Sequence, residues 1–340
     1  PAPSQWAMRV LHFLLTILLS SMVLGGSAAA LRAQSVSSIG SEWPRTDFTK
    51  RSVKLSEIRA GGPSKDGIPS IDQPKFIPAA RDKELAPREP VISLAIGGDA
   101  RAYPLRILMW HEIVNDTVGG VPVIVTYCPL CNSALVFRRE VKGRILDFGT
   151  TGRLRNSDLV MYDRQSESWW QQFTGTAIVG EMTGTELESV PVRIESFERF
   201  LDRHPDGKVL VPNRPGTRAY GQNPYGGYDS LSRPFLYSGD MPEGIEPMAR
   251  VVAFESADGP MAVALTLLRE KGRIEIGDVI LTWEAGQSSA LDAGKIAEGR
   301  DIGNVVARRL GEKGPVDIVY DVTFAFAFNA FHPRSKIVTE

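Results

Sequence analysis

Two stretches of this 340-residue chain repeat each other. VISLAIGGDARAYPLRIL from Val91 lies over VVAFESADGPMAVALTLL from Val251 at a shift of 160, which pairs Val91 with Val251, Ala102 with Ala262 and Leu105 with Leu265. At a shift of 156, VIVTYCPLCNSAL from Val123 lies over VILTWEAGQSSAL from Val279 with six identities in thirteen positions. A shift of 158 pairs Tyr162-Asp163 with Tyr320-Asp321 and Phe173 with Phe331. Colinear matches of this kind are the mark of a repeated structural unit, here one of roughly 80 residues. Each unit reads as an apolar strand, a turn, a second strand and a helix. In the first, Gly97-Gly98-Asp99 supplies the turn and Pro104 suits the first helical position, with Leu105, Leu108, Met109 and Glu112 on helical spacing. The expected fold is α+β and β-rich, with two related β-hairpin/helix modules built on antiparallel sheets.

The remaining punctuation divides the chain. Arg9 precedes an apolar run from Val10 to Leu24, and small residues from Gly25 to Ala30 follow it, the pattern of a secretory signal peptide ending near residue 33. That run is shorter than the roughly 20 residues a helix needs to cross a bilayer, so membrane contact is expected only transiently, through the signal. The mature chain is then secreted or periplasmic. Residues 34–90 are a turn-rich, extended lead-in, 91–180 the first module, 181–250 a helix and a Pro/Gly/Tyr-rich connector, and 251–340 the second module. Within residues 181–250, Glu195 to His204 has the apolar spacing of an amphipathic helix. The balance of 39 Lys and Arg against 40 Asp and Glu lacks the positive surplus that drives phosphate-backbone binding, so nucleic acid is excluded as a partner.

The only two cysteines, Cys128 and Cys131, form a Cys-x-x-Cys between two β-prone runs, Val121 to Tyr127 and Ser133 to Arg139. Two sulfurs at that spacing serve one metal ion, exchangeable thiols or a small structural disulfide. In a thioredoxin-like site the motif opens a helix whose N-terminus lowers the thiol pKa. A knuckle between strands is instead the setting of metal-ligating cysteines. The second repeat carries Glu284 and Gln287 at the matching positions, so it keeps the frame without the sulfur chemistry. With no second cysteine pair, further ligands must come from elsewhere. His111 is the candidate third ligand, and Glu112, Asp116, Tyr127 and Met161 are candidate supporting residues. Soft thiolates suit copper or zinc. No phosphate-cradling glycine loop and no Cys-x-x-Cys-His is present, so neither nucleotide nor covalent haem is expected.

The motifs AYPLRILMWHEIVNDTVGG, TYCPLCNSALVF and SDLVMYDRQSESWWQ, with GGPSKDGIPSIDQPKF upstream, resemble a bacterial secreted family classed as a domain of unknown function. The resemblance runs from about Trp43 to Ile337 and implies no established activity. It departs at Asn132, where glycine is common. The expected function is an extracytoplasmic protein with a Cys-x-x-Cys plus His111 site that binds copper or zinc, its partner being the metal or a small molecule. Two alternatives stand beside it. One is a periplasmic thiol-disulfide redox protein, and the other is a non-catalytic binding protein with a structural disulfide. In the second, Asp66 and Asp72 of the lead-in and Tyr225 and Tyr228 of the connector are the candidate binding loops.

Overall fold

The structure is a computed structural model that describes residues 40–340. The signal peptide expected over residues 1–33 lies outside the described residues. Residues 40–46 belong to the first of two compact units, and Asp47–Glu340 form the second.

Among the described residues, the second unit is a five-bladed β-propeller. Blade I joins Ile58–Ala60, Phe148–Arg155, Asp158–Asp163, Trp169–Gln171 and Thr176–Val179. Blade II joins Ile113–Val118, Val121–Cys128, Ser133–Arg138 and Ser189–Val190. Blade III joins Lys75–Pro78, Pro90–Ile96, Asp99–Pro104, Arg193–Ser196 and Lys208–Val211. Blade IV joins Arg250–Ser256, Gly259–Ala264, Tyr320–Phe324 and Ile337–Val338, and blade V joins Arg273–Ile276, Val279–Glu284, Asn304–Gly311 and Gly314–Asp317.

The propeller corrects the expected α+β fold of two duplicated hairpin/helix modules. Hairpin-and-helix units do occur at both expected places, but neither is a module. Within residues 47–340 the α-helices, α1 (Leu105–His111), α2 (Phe197–Arg203), α3 (Leu265–Lys271) and α4 (Ala325–Phe331), have seven residues each. Two turns span only about 10 Å, too little to form a layer against a sheet. Instead α1 carries the chain from blade III into blade II, and α3 carries it from blade IV into blade V. The shift of 158 also fails as a structural match. Tyr162-Asp163 ends a strand of blade I paired with Phe148–Arg155, whereas Tyr320-Asp321 begins a strand of blade IV paired with Arg250–Ser256. The true counterpart of Tyr320–Phe324 is Arg193–Ser196, since each is followed by a seven-residue helix and then a strand added parallel to its blade.

Bonds pass between the blades. Asn115 of blade II donates to the Phe148 carbonyl of blade I and accepts from its N–H. Asp116 of blade II takes both Arg101 Nη1 contacts, at 2.7 and 2.8 Å, and the Tyr103 hydroxyl of blade III at 2.6 Å. The Ser196 N–H of blade III reaches Asn304 of blade V, and the Tyr320 hydroxyl of blade IV donates to the Val305 carbonyl of blade V. Phe331 of α4 stacks on Phe173, beside blade I, at 4.6 Å.

The lead-in is fastened to blade I. The Gly61 N–H donates to the Gly152 carbonyl, and Gly152 sits at φ +69, where a Cβ would lie 2.0 Å from the Pro63 carbonyl oxygen. Gly152→Ala is therefore expected to destabilise the chain by about 2 kcal/mol or more, from the left-handed backbone and the clash together, read as a lower denaturation midpoint.

Candidate metal centre

Cys128 is the last residue of its strand in blade II and pairs with Ser133, the first residue of the next. The turn between them closes on an Asn132 N–H to Pro129 carbonyl bond of 3.2 Å. Asn132 takes the left-handed conformation, φ +51, which asparagine tolerates better than most residues without needing glycine. Its amide donates to the Val322 carbonyl of blade IV at 2.7 Å and accepts from the Tyr127 hydroxyl at 3.4 Å. The Cys131 carbonyl accepts from the Phe324 N–H and the Thr323 hydroxyl, and the Leu130 carbonyl accepts from the Tyr228 hydroxyl at 2.9 Å. Every carbonyl of the loop from Pro129 to Cys131 is thus held. The two sulfurs are presented by a fixed loop.

The third member comes from blade I. Arg155 pairs with Asp158 across a two-residue hairpin turn, Asn156-Ser157, with φ of +55 and +62. Two successive left-handed residues are the signature of a type I′ hairpin turn. That turn aims the Ser157 carbonyl at both thiols, 3.5 Å from Cys131 Sγ and 3.9 Å from Cys128 Sγ. Asp158, the next residue, is fully buried. Its Oδ2 accepts from Gln171 Nε2 at 2.6 Å and from the Phe173 N–H at 3.0 Å, while its Oδ1 has no partner. Ligand atoms of Cys128, Cys131 and Asp158 all lie within 4.8 Å of one another.

Burial dominates the electrostatics. It pushes Asp158 up to about 7 against the bonds from Gln171, Phe173 and the two thiols, and it pushes both cysteine thiols above their usual range. Two more buried carboxyls face the same region. Glu112 is pushed up to about 8 by burial and then by the charge of Asp158. Asp321, which accepts from the Ala134 N–H, is pushed up to about 7, again by burial first. Acids and thiols are gathered here, and none of the groups acting on Asp158 is a cation.

Of the residues singled out from the sequence, only the two cysteines belong to the three-residue cluster. Both ring nitrogens of His111 are engaged elsewhere, Nδ1 with the Pro69 carbonyl at 2.7 Å and Nε2 with the Tyr220 hydroxyl at 2.8 Å. Burial lowers its pKa, which suits a neutral ring that donates at Nδ1 and accepts at Nε2. Asp116 is committed to Arg101 and Tyr103. Met161 is buried in the blade I strand opposite Thr150, and Tyr127 is buried opposite Ala134. Asp66 accepts from the Tyr162 hydroxyl, and Asp72 pairs with Arg164 and Asn115, so both bind the lead-in to the propeller. Tyr228 holds the connector down on the cysteine loop, and its neighbour Asp229 accepts from Arg250 and Ser289 in the core. Tyr225 packs beside it, ring centroids 6.3 Å apart, with Glu112 and Cys128 among the groups acting on its hydroxyl. The connector also lines, with Arg81, Arg106 and Ile107, a cavity of about 830 Å³ that the Gly61–Phe76 segment does not reach.

Asp158 was not among the residues that the sequence singled out. The signal for it was the Asn-Ser pair between two β-prone runs, a hairpin turn that would bring the next residue to the end of a blade.

No curated protein and no solved structure matches the chain. The family described as "Protein of unknown function (DUF3179)" matches residues 65–335, which span all of the cysteine, Asp158 and Glu112 positions, and the chain belongs to that family.

Proposed function

We propose that this is an extracytoplasmic metal-binding protein whose Cys128–Cys131–Asp158 centre takes zinc, with copper(I) as the competing ion. The observation that carries the reading is the buried Asp158 carboxyl, whose Oδ1 has no N–H or O–H partner and faces two unbridged thiols. An ionised carboxylate in such a place is costly without a cation, and a bound cation resolves it. Ligand atoms within 4.8 Å suit a tetrahedral ion, whose sulfur ligands at about 2.3 Å sit about 3.8 Å apart. A carboxylate joined to two thiolates favours zinc, because copper(I) prefers an all-soft donor set. The export signal read at the N-terminus supports a compartment where paired thiols oxidise unless a metal holds them. Thiol exchange is less well supported, since it needs an accessible, acidified thiolate and both cysteines are buried with raised pKa values.

Elemental analysis of the exported protein, purified without chelator or affinity histidines, tests the reading. One zinc per chain is expected, and cobalt exchanged into the site should give a strong thiolate-to-metal band in the near ultraviolet. Protein that carries no zinc or copper and takes up neither on addition would overturn it.

A further inference from the structure

Glu112 occupies a backbone conformation that its side chain does not favour, and the repeat shows what the frame itself requires there. It caps α1 with φ +57, its N–H on the Leu108 carbonyl at 2.7 Å and its carbonyl on the Tyr127 N–H at 2.8 Å. At the same place in the other unit, Gly272 caps α3 with φ +70, its N–H on the Leu268 carbonyl and its carbonyl on the Trp283 N–H. The turn is the same, and glycine is the residue that fits it without strain. Blade II keeps a glutamate instead. Strain of this kind persists where the side chain has other work.

The placement indicates what that work is. Of the eight non-glycine residues with positive φ among the described residues, four are Glu112, Asn132, Asn156 and Ser157, which frame the centre. Glu112 precedes the strand Ile113–Val118, and its backbone bond to Tyr127 sets it beside Cys128. Glu112 is more than nine-tenths buried, its pKa is raised by burial and then by Asp158, and no hydrogen bond or ion pair reaches its carboxyl among the described residues. Cys131 and Asp158 are 0% exposed and Cys128 2%, whereas Glu112 keeps 8% and its carboxylate lies outside the 4.8 Å cluster of the other three, so it is the most accessible of the four and must move inward to join them.

Resting on the metal reading above, we propose that Glu112 is the fourth donor of the centre. It completes the set formed by the two thiolates and Asp158. Its three side-chain torsions let the carboxylate swing between an outer and a ligating position. In blade V the matching positions hold Gly272, Glu284 and Gln287, and Glu284 lies on the surface paired with Arg199. Fourth donor and sulfur pair are replaced together.

Zinc affinity and zinc release to a chelator, measured on the intact chain for wild type, Glu112→Gln and Glu112→Gly, test the inference. Both variants should bind zinc at least tenfold more weakly and release it at least tenfold faster. Glu112→Gly should at the same time melt at a higher temperature than wild type when both are metal-free, because it relieves the left-handed backbone. A merely structural glutamate would give the opposite pattern, a lower melting temperature in Glu112→Gln with unchanged zinc affinity and release, and that result would overturn the proposal. If wild type itself binds no zinc, the metal reading falls along with it, an outcome distinct from equal binding by all three chains.

Discussion

Cys131→Ser is expected to weaken zinc binding by about a hundredfold or more while leaving the propeller folded. Zinc bound by four protein donors contributes about 10–16 kcal/mol, so one donor accounts for about 3 kcal/mol, and each 1.4 kcal/mol is a tenfold change. Serine is nearly isosteric with cysteine, and the bonds that hold the loop run to its backbone carbonyls, which the substitution leaves in place. Asp158→Asn should lose zinc by a similar factor, because the amide keeps the shape and the bond from the Phe173 N–H but carries no charge to the ion. Glu284→Ala at the position matching Cys128 is the control. Its carboxylate is exposed and paired only with Arg199, an arrangement contributing at most about 1 kcal/mol, and zinc binding should not change. Competition titration with a chromophoric chelator gives these ratios. Wild-type affinity in Cys131→Ser would remove the sulfur from the site.

Much of the local structure was legible because it follows from local rules. Pro104 sits as the N-cap residue of α1, one position before the helix it was expected to begin, and the Cys-x-x-Cys lies between two strands as its β-prone flanks implied. What failed was the step from units to architecture. The repeat at a shift of 160 marks the same hairpin and helix twice, but whether a seven-residue helix ends a module or bridges two blades depends on which sheets its flanking strands join. Those partners are distant in sequence. Arg193–Ser196 adds to Pro90–Ile96 about a hundred residues away, and no local pattern encodes it. The site divided in the same way. The two sulfurs were visible as a motif, whereas Asp158 reaches them from another blade through a turn whose register decides which side chain faces the cluster. His111 had the right chemistry and helix position, yet Pro69 and Tyr220, far from it in the chain, take both nitrogens.

The metal-free protein should lose stability as pH rises from about 6.5 to about 8, and zinc should reverse that slope. Asp158 and Asp321 move from 3.8 to about 7, and Glu112 moves from 4.5 to about 8. A carboxyl whose folded pKa is raised leaves stability intact below its unfolded value. As pH climbs from the unfolded value to the folded one, the group then costs stability at about 1.4 kcal/mol for every pH unit crossed. The three groups share one buried region, so the combined loss is on the order of a few kcal/mol rather than a simple sum. Carboxylates held low by arginines and backbone N–H groups, Asp99, Asp229, Asp301 and Asp317, act only below their unfolded pKa of 3.8, whereas His111, His204 and His332, whose pKa values burial lowers from 6.5, oppose the loss below pH 6.5 and leave the decline unopposed above it. Zinc competes with protons for the same donors, so its affinity climbs as pH rises, and the loaded chain should become more stable over the interval in which the metal-free chain weakens. Thermal unfolding from pH 5 to pH 8, once with chelator and once with excess zinc, should give melting temperatures that diverge steadily. In Asp158→Asn the metal-free slope should be shallower and the zinc effect largely gone, because the group that links the proton to the ion has been removed. A metal-free melting temperature that stays flat or rises between pH 6.5 and pH 8, above the range in which the histidines act, would mean that these carboxyls are not held in the buried, cation-free setting on which the metal reading depends.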